Sequence, residues 1–359
     1  MKFSASVFLI LSLLMATASE AAAKTPWRTY ARRPDTWYRS QEAKKLGDYI
    51  LAHQSESGSW PKNIDTAAEP LPGNRSEIIG TFDNGATLNE MRFLARLVTA
   101  REGTDMDDTP FRDGFLKGID HILEAQYPTG GWPQRFPPGN GYYRHITFND
   151  NAMVGLLRFL REVATLDVYD FVDAPRRQLS ATSFDRGINC ILRCQVIVDG
   201  KRTVWCAQHD ALTLEPRPAR TYELVSLSGA ESSEIVRLLM SLEMPNTEVI
   251  AAIEGAIAWY EAAQLRGIRV VQEPDVKAPK GVNKVVVADP EAPPLWARFH
   301  EIGTNKPIFC DRDGLARDNL ADISYERRNG YGWLGSWGSS LLETEYPAWK
   351  AKWVHPPNQ

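Results

Sequence analysis

The sequence lacks the features that mark several common protein classes. It has only four cysteines, too few for a disulfide-framed fold, so we expect buried thiols or a single disulfide. Its net charge of −4 excludes the overall basic field of a nucleic-acid-binding protein. It contains no Gly-rich phosphate loop and no Gly-x-Ser-x-Gly elbow, which argues against a nucleotide enzyme and a serine hydrolase.

Long apolar runs are also scarce, and the clearest one lies at the start of the chain. Residues 7–15 are mostly apolar, follow Lys2 and precede small residues at 16–18 and 21–23. This layout is typical of a secretory signal peptide and is too short for a membrane span. We therefore expect residues 1–23 to be removed, with cleavage between about 18 and 23, and residues 24–36 to form a lead-in. The mature protein would be secreted or periplasmic, without membrane contact.

An internal repeat marked by glutamine and tryptophan runs through the first two thirds of the chain. Four glutamines, at 54, 126, 195 and 264, each end a segment whose apolar residues have helical spacing. Loops with glycine and tryptophan follow the first three, and their tryptophans, Trp60, Trp132 and Trp205, advance by 72 and 73 residues. Such self-similarity indicates a repeated helical unit.

The fold prediction follows from these helical segments. Apolar periodicity predicts helices over 37–54, 88–101, 111–126, 152–165, 184–195, 232–242 and 249–265. They alternate between two classes, so we expect a mainly α protein built as an (α/α) toroid of about three helical hairpins plus an extra helix, over 37–265. Residues 266–359 would be an irregular, β-containing region packed on the toroid, with short strands and no long helix or second core. Together, 37–359 would form a single catalytic domain.

A second repeat places polar residues where the alternate helices begin. It comprises Thr81-Phe82-Asp83-Asn84, Thr147-Phe148-Asn149-Asp150-Asn151 and, more loosely, Thr221-Tyr222-Glu223. Carboxylate and amide oxygens gathered at one end of a ring of helices are the hard ligands that calcium takes. The same residue types are also preferred helix caps. As a further alternative, Asp83 and Asp150 could be the acid and base of a glycoside hydrolase.

Arginines form the other candidate cluster. Arg217 and Arg220 precede the third polar repeat, and Arg298 and Arg312 lie in the C-terminal region. Because guanidinium groups bind carboxylates through two hydrogen bonds, several of them beside metal-binding acids suit a substrate that is itself a chain of carboxylates. Each arginine could instead pair with a nearby acidic residue and have a structural role. The protein as a whole could instead be a non-catalytic protein that binds acidic polysaccharide.

Several motifs together resemble the pectate lyases of polysaccharide lyase family 10, from about residue 37 to 337. They are Gly58-Ser-Trp60-Pro-Lys62-Asn63, Thr81-Phe-Asp83-Asn84-Gly-Ala-Thr87, Gly130-Gly-Trp132-Pro-Gln134, Phe148-Asn-Asp150-Asn151-Ala-Met153, Trp205-Cys-Ala-Gln-His-Asp210, Pro218-Ala-Arg220 and Arg312-Asp-Gly314. The resemblance implies a helical toroid with a β-containing part and a substrate groove between them. It also implies calcium-dependent anti β-elimination of α-1,4-linked polygalacturonate, which gives 4,5-unsaturated oligogalacturonates. We expect a monomer that binds this polymer and no nucleic acid.

The resemblance also assigns site residues. It implies that Arg220 is the catalytic base, with Arg217 as a rival, and that Asp83 is the aspartate essential for activity. It places Asp83, Asn84 and Asp150 near a Ca²⁺ ion, and Arg298 and Arg312 on substrate carboxylates. Asn151, His209 and Tyr222 are the remaining expected substrate contacts, although a lone histidine such as His209 is more often structural.

Overall fold

The computed structural model describes residues 25–70 and 73–354, so the predicted signal peptide lies outside the described residues. The helices are α1 (Trp27–Ala31), α2 (Asp35–Tyr38), α3 (Gln41–Ala52), α4 (Leu88–Arg101), α5 (Thr109–Glu124), α6 (Ala152–Thr165), α7 (Ala174–Cys194), α8 (Glu231–Met240), α9 (Thr247–Ala262), α10 (Tyr325–Gly330) and α11 (Tyr346–Trp353). None of the described helices is long and apolar enough to cross a membrane.

Local capping explains where several of these helices begin. The Ser40 side chain accepts a hydrogen bond from the Ala43 amide and separates α2 from α3, so the predicted helix 37–54 is two helices. Asp173 caps α7 in the same way, which starts the helix ten residues before the predicted 184. The apolar pattern missed this first part of α7 because it is polar.

The helices form the predicted toroid of hairpins. α4, α6 and α8 are buried over most of their length, whereas α3, α5, α7 and α9 each bury one face. α4 packs on α5, α6 on α7 and α8 on α9. We refer to α4, α6 and α8 as the inner helices and to α3, α5, α7 and α9 as the outer helices.

The repeated glutamines hold the outer helices together. Nε2 of Gln54 donates to the carbonyls of Gly58 in its own loop, at 2.9 Å, and Gly114 in α5, at 2.8 Å. Gln126 bonds Gly130 and Ser183 of α7 in the same way, and Gln195 bonds Thr203 and Ala252 of α9. Gln264 makes no such side-chain bond within the described part of the chain, so the repeat does not extend to it.

The repeated tryptophans identify a fourth unit that the sequence spacing hides. The indole N–H of Trp60, Trp132 and Trp205 donates to a helix carbonyl at 2.6, 2.8 and 2.7 Å. Trp296 makes the equivalent bond to Tyr260 at 2.9 Å. The hairpin of β6 (Ile268–Pro274) and β7 (Val282–Ala288) lies between α9 and Trp296 and breaks the period.

The remaining strands are short and pair in antiparallel ribbons. They are β1 (Ile146–Thr147), β2 (Ile197–Val198), β3 (Lys201–Arg202), β4 (Gln208–His209), β5 (Leu227–Ser228), β8 (Trp296–Ala297), β9 (Phe299–His300), β10 (Phe309–Cys310), β11 (Ala316–Arg317) and β12 (Leu334–Gly335). The pairs are β1 with β4, β2 with β3, β5 with β9, β6 with β7, β8 with β12 and β10 with β11. Pairing of β5 with β9 joins the C-terminal region to the start of α8.

Two features of the C-terminal region were not predicted from the sequence. A helical stretch ends the described chain, since a π-helical segment, Leu341–Glu345, leads directly into α11. A small second apolar cluster also exists, made of Tyr222, Phe299, Phe309, Cys310, Leu320, Ile323 and Trp333. This cluster supports the arginines described below. All four cysteines are buried free thiols, which agrees with the first of the two alternatives expected from the sequence, buried thiols or a single disulfide.

Candidate active site

Three equivalent turns precede the inner helices, and each begins with the same backbone hydrogen bond. The amides of Thr81, Thr147 and Ser228 donate to the carbonyls of the three repeat tryptophans, at 2.9, 3.1 and 2.8 Å. The third turn is therefore at Ser228, and the prediction that Thr221-Tyr222-Glu223 opens a helix was wrong because an extra loop precedes β5. The correct turn leads to Glu231, which the sequence analysis missed although Ser228-Gly-Ala-Glu231 has the pattern of a capping box.

The first two turns have matching backbones. Asn84 and Asp150 both have positive φ, of 55° and 50°, a conformation that asparagine and aspartate tolerate better than most residues. Asp150 therefore corresponds to Asn84, and Asn149 corresponds to Asp83. The two turns contact each other, which brings both carboxylates to the same end of the toroid. We refer to Asp83, Asp150 and Glu231 as the acidic rim.

Asp83 is the most buried aspartate of this rim. Its Oδ2 accepts a hydrogen bond from Gln134 Nε2 at 2.8 Å and pairs with Nζ of Lys62. Its Oδ1 is buried and has no hydrogen-bond partner within residues 25–70 and 73–354. A buried carboxylate oxygen without a donor is costly, so this atom is suited to an additional ligand.

Asp150 and Glu231 share one arginine. Nη2 of Arg298 donates to Asp150 Oδ1 at 3.0 Å and to Asn149 Oδ1 at 3.2 Å, and it also pairs with Glu231 Oε1. Burial alone would lower the pKa of Arg298, but the Glu231 and Asp150 carboxylates raise it above its usual range. Arg298 is therefore a fixed cation in contact with the acidic rim.

Arg220 and Arg298 both lie near the ring of Tyr331. The Arg220 guanidinium pairs with Glu223, whose Oε1 also accepts a hydrogen bond from the Tyr331 hydroxyl at 2.8 Å. The ring of Tyr331 lies 5.8 Å from the guanidinium carbon of Arg220 and 4.8 Å from that of Arg298. Hydrogen bonding to Glu223 raises the pKa of Arg220, and the rest of its environment does not cancel this. The structure thus brings Arg220 and Arg298 together around one aromatic ring.

Tyr222 lies close to three arginines. Its buried ring lies 5.0 Å from the guanidinium carbon of Arg220, 5.9 Å from that of Arg312 and 4.4 Å from that of Arg327. Arg312 is exposed and pairs with Glu326. Tyr222 therefore packs against several arginines. We refer to Arg220, Arg298 and Arg312, which are connected through Tyr222 and Tyr331, as the arginine cluster.

The other predicted site residues lie in different environments. His209 is fully buried, and Nδ1 contacts the Leu214 carbonyl at 2.8 Å. Burial lowers the pKa of His209 to about 4, so its ring is neutral near pH 7, and its role as a substrate contact stays a prediction. Asn151 is exposed beside Asp150. Arg217 pairs with Asp210 and Glu215, and it lies outside the pairs that connect Arg220 with Arg298.

The acidic rim fits calcium by the chemistry of its donors but does not complete a site alone. Carboxylate and amide oxygens are suitable ligands, and Asp83 Oδ1 has no partner. Lys62 and Arg298 already pair with the carboxylates, however, and the described residues contain no group of three His, Cys, Asp or Glu arranged to hold a metal. Substrate oxygens would have to supply the remaining ligands.

Comparison with solved structures defines the class of protein to which this fold and site belong. A family 10 polysaccharide lyase from Cellvibrio cellulosa matches with a TM-score of 0.73 and 32% identity over 91% of this chain and 98% of that one. An aspartate-to-alanine mutant of the family 10 polysaccharide lyase from that organism, in complex with trigalacturonic acid, matches with a TM-score of 0.74 and 32% identity over 90% and 99% of the two chains. The fold is that of a polysaccharide lyase.

A match to a protein-family model assigns the chain to one family of polysaccharide lyases. The model described as pectic acid lyase matches residues 54–342. The chain therefore belongs to the pectic acid lyase family, as the motifs predicted. No match was found among curated proteins.

Proposed function

We propose that this polysaccharide lyase cleaves polygalacturonate by calcium-dependent anti β-elimination, with Arg220 as the base, and releases 4,5-unsaturated oligogalacturonates. The observation that carries the proposal is the placement of the acidic rim directly against the arginine cluster, joined through Arg298. The complex of a 32% identical relative with trigalacturonic acid supports an acidic galacturonate chain as the substrate.

The residue types suit elimination next to a carboxylate. The reaction transfers the C5 proton of a galacturonate ring to the base, and the negative charge that develops spreads onto the adjacent carboxylate. The bond from C4 to the glycosidic oxygen then breaks as the C4=C5 double bond forms, and the leaving oxygen takes a proton from solvent. Fixed cations aimed at that carboxylate stabilise the developing charge, which is the largest contribution in many enzymes. Arg298 and Arg312 would hold substrate carboxylates, and Asn151 would contact a sugar hydroxyl.

Charge supports the calcium requirement. Lys62 and Arg298 are the cations paired with the acidic rim, which leaves its three carboxylates with one excess negative charge. A divalent cation bound there would reverse the sign of this local charge and so attract the carboxylates of a polyanionic substrate. Asp83, Asn84 and Asp150 would hold the ion together with substrate oxygens. When bound, calcium would withdraw electron density from the substrate carboxylate and so acidify the C5 proton.

Arg220 is the proposed base because it faces the same cluster and is half exposed, with 41% of its side chain accessible. In the free protein its pairing with Glu223 keeps it protonated. Base catalysis therefore requires that substrate and calcium weaken this pair, since a protonated guanidinium has no lone pair to accept the proton.

Two other readings have less support. A glycoside hydrolase needs one carboxylic acid in an apolar pocket, whereas Asp83 and Asp150 are both paired with cations. A binding protein would show no chain cleavage, and the family assignment favours a lyase.

The test follows near-ultraviolet absorbance of mature protein mixed with polygalacturonate at alkaline pH, with calcium in one sample and a chelator in another. The proposal predicts a rise that the chelator abolishes, because elimination makes a C4=C5 double bond. New reducing ends without absorbance would indicate hydrolysis instead. Saturable binding without either signal would indicate a binding protein.

We further propose that the mature enzyme is exported, which the pattern of residues 1–23 supports, and that it is a monomer. Mass spectrometry of the protein recovered from the periplasm and medium would locate the new N-terminus. Light scattering would give the mass of the assembly. An intact Met1 in a cytoplasmic fraction, or a dimer mass, would contradict these two points respectively.

A further inference from the structure

We propose that Glu231, at the start of α8, is a positioning residue that orients Arg298 for the substrate carboxylate. This inference rests on the proposed function, because it assigns Arg298 to substrate binding. It concerns the one acid of the rim that neither the polar repeat nor the family motifs pointed to.

The first observation is the burial of Glu231. Only 3% of its side chain is accessible, although it is an ionisable residue. Ser228 donates its hydroxyl to Oε2, while Oε1 pairs with Arg298. Both carboxylate oxygens therefore have partners, and the side chain is fixed in one orientation.

The second observation is which part of Arg298 these contacts hold. Nη2 alone contacts Glu231, Asp150 and Asn149, and within the described residues Nη1 has no hydrogen-bond partner. The ring of Tyr331 packs against the guanidinium at 4.8 Å. The two N–H groups of Nη2 are shared among three acceptors, and the aromatic ring packs against the guanidinium group. These contacts fix the guanidinium plane and leave Nη1 available for a substrate carboxylate.

A purely structural role for Glu231 is the alternative. It lies in the first turn of α8, where a carboxylate interacts favourably with the helix dipole, and its own amide donates to Ser228 Oγ at 3.2 Å. A residue of this kind would change the stability of the protein and leave the kinetic constants of the folded enzyme unaltered. The two roles therefore predict different measurements.

Glu231→Gln tests the inference because glutamine keeps the size of the side chain and its contact with Ser228. We expect kcat/KM on polygalacturonate to fall about 10- to 100-fold, as is usual when the support of a binding group is removed. Calorimetric affinity for trigalacturonate in the presence of calcium should fall in parallel. Glu234→Gln is the matched control, since Glu234 lies on the same helix and pairs with Arg158 and Arg237.

A double-mutant cycle with Arg298→Lys identifies the route of the effect. If Glu231 acts through Arg298, adding Glu231→Gln to Arg298→Lys should change kcat/KM and affinity by less than about twofold. If the effects of the two substitutions on kcat/KM multiply in full in the double variant, the inference is overturned. It is also overturned if Glu231→Gln lowers Tm but leaves the kinetic constants and the affinity unaltered. An Arg298→Lys variant equal to wild type would instead overturn the proposed substrate site itself. Because trigalacturonate affinity is independent of turnover, an enzyme that binds but makes no alkene would fail only the proposed reaction.

Discussion

Glu223 accepts two hydrogen bonds from the Arg220 guanidinium, with Nε donating to Oε2 at 2.8 Å and Nη2 donating to Oε1. This pair raises the pKa of Arg220, while burial and the Arg220 charge have opposing effects on Glu223, whose pKa is lowered overall. Both groups are therefore charged in the free protein. The strength of this pair determines how readily Arg220 can lose its proton.

Replacing Glu223 with glutamine should shift the pH dependence of elimination. Removing the carboxylate lowers the pKa of Arg220, so a larger fraction of the base form exists at any given pH. We expect kcat to rise with pH as Arg220 loses its proton, and this rise should move to lower pH in the variant, as measured by absorbance over a pH series. In the same assay, Arg220→Lys should lose about 99% or more of turnover, because lysine lacks the planar fork.

Glu162→Gln is the control for the Glu223 variant. Glu162 forms a two-point pair with Arg92 between α6 and α4, outside both the acidic rim and the arginine cluster. Its pH profile should match that of wild type. If Glu223→Gln also matched wild type in its profile, the base would not be Arg220.

Asp83→Asn should weaken the response to calcium. Asp83 Oδ1 is buried and has no hydrogen-bond partner among the described residues, and asparagine does not supply a carboxylate there. We expect the half-saturating calcium concentration to rise and turnover at fixed calcium to fall about 100-fold, the scale seen when a group that stabilises developing charge is lost. The measurement is initial rate against calcium concentration, with Tm recorded to confirm folding. An unchanged calcium response would remove Asp83 from the metal site.

The sequence predicted the toroid because its signals are local and repeated. Helical spacing of apolar residues and the Trp loops gave the hairpins, and two polar turns gave Asp83 and Asp150. The third turn was misplaced because the stretch from the repeat tryptophan to the turn differs in length among the three repeats, and it is longer in the third repeat than in the second. The fourth tryptophan, Trp296, was hidden in the same way by the β6–β7 insertion.

The partners of the site residues could not be predicted, because they come from distant parts of the chain. Arg298 contacts Asp150 and Glu231 across 148 and 67 positions. The Tyr331 ring that contacts both Arg220 and Arg298 lies in the C-terminal region, where only short strands and loops were predicted. Periodicity contains no information on such long-range pairs.

Gln126→Leu should destabilise the fold without changing kcat. The variant loses two hydrogen bonds, at 2.8 and 2.9 Å, and leaves the Gly130 and Ser183 carbonyls without this donor. We expect the free energy of unfolding to fall by about 1–3 kcal/mol, measured by urea denaturation. Gln264→Leu provides the comparison, and it should change stability by less than about 0.5 kcal/mol because the equivalent bonds are missing there. Equal losses in the two variants would contradict the role of the repeated glutamines.

Glu90→Gln should stabilise the enzyme at alkaline pH. Glu90 is buried in α4 with Thr66 donating to Oε1 at 2.9 Å and no partner for Oε2, and burial raises its pKa to about 7 from an ordinary value of 4.5. Between these two pH values the folded state binds more protons than the unfolded state, so stability falls as pH rises and the loss is complete above about 7. The full penalty is about 3 kcal/mol. Glutamine removes it, so Tm of the variant should exceed that of wild type at pH near 9 and match it at pH near 4. A Tm difference that does not vary with pH would show that Glu90 does not titrate in this range.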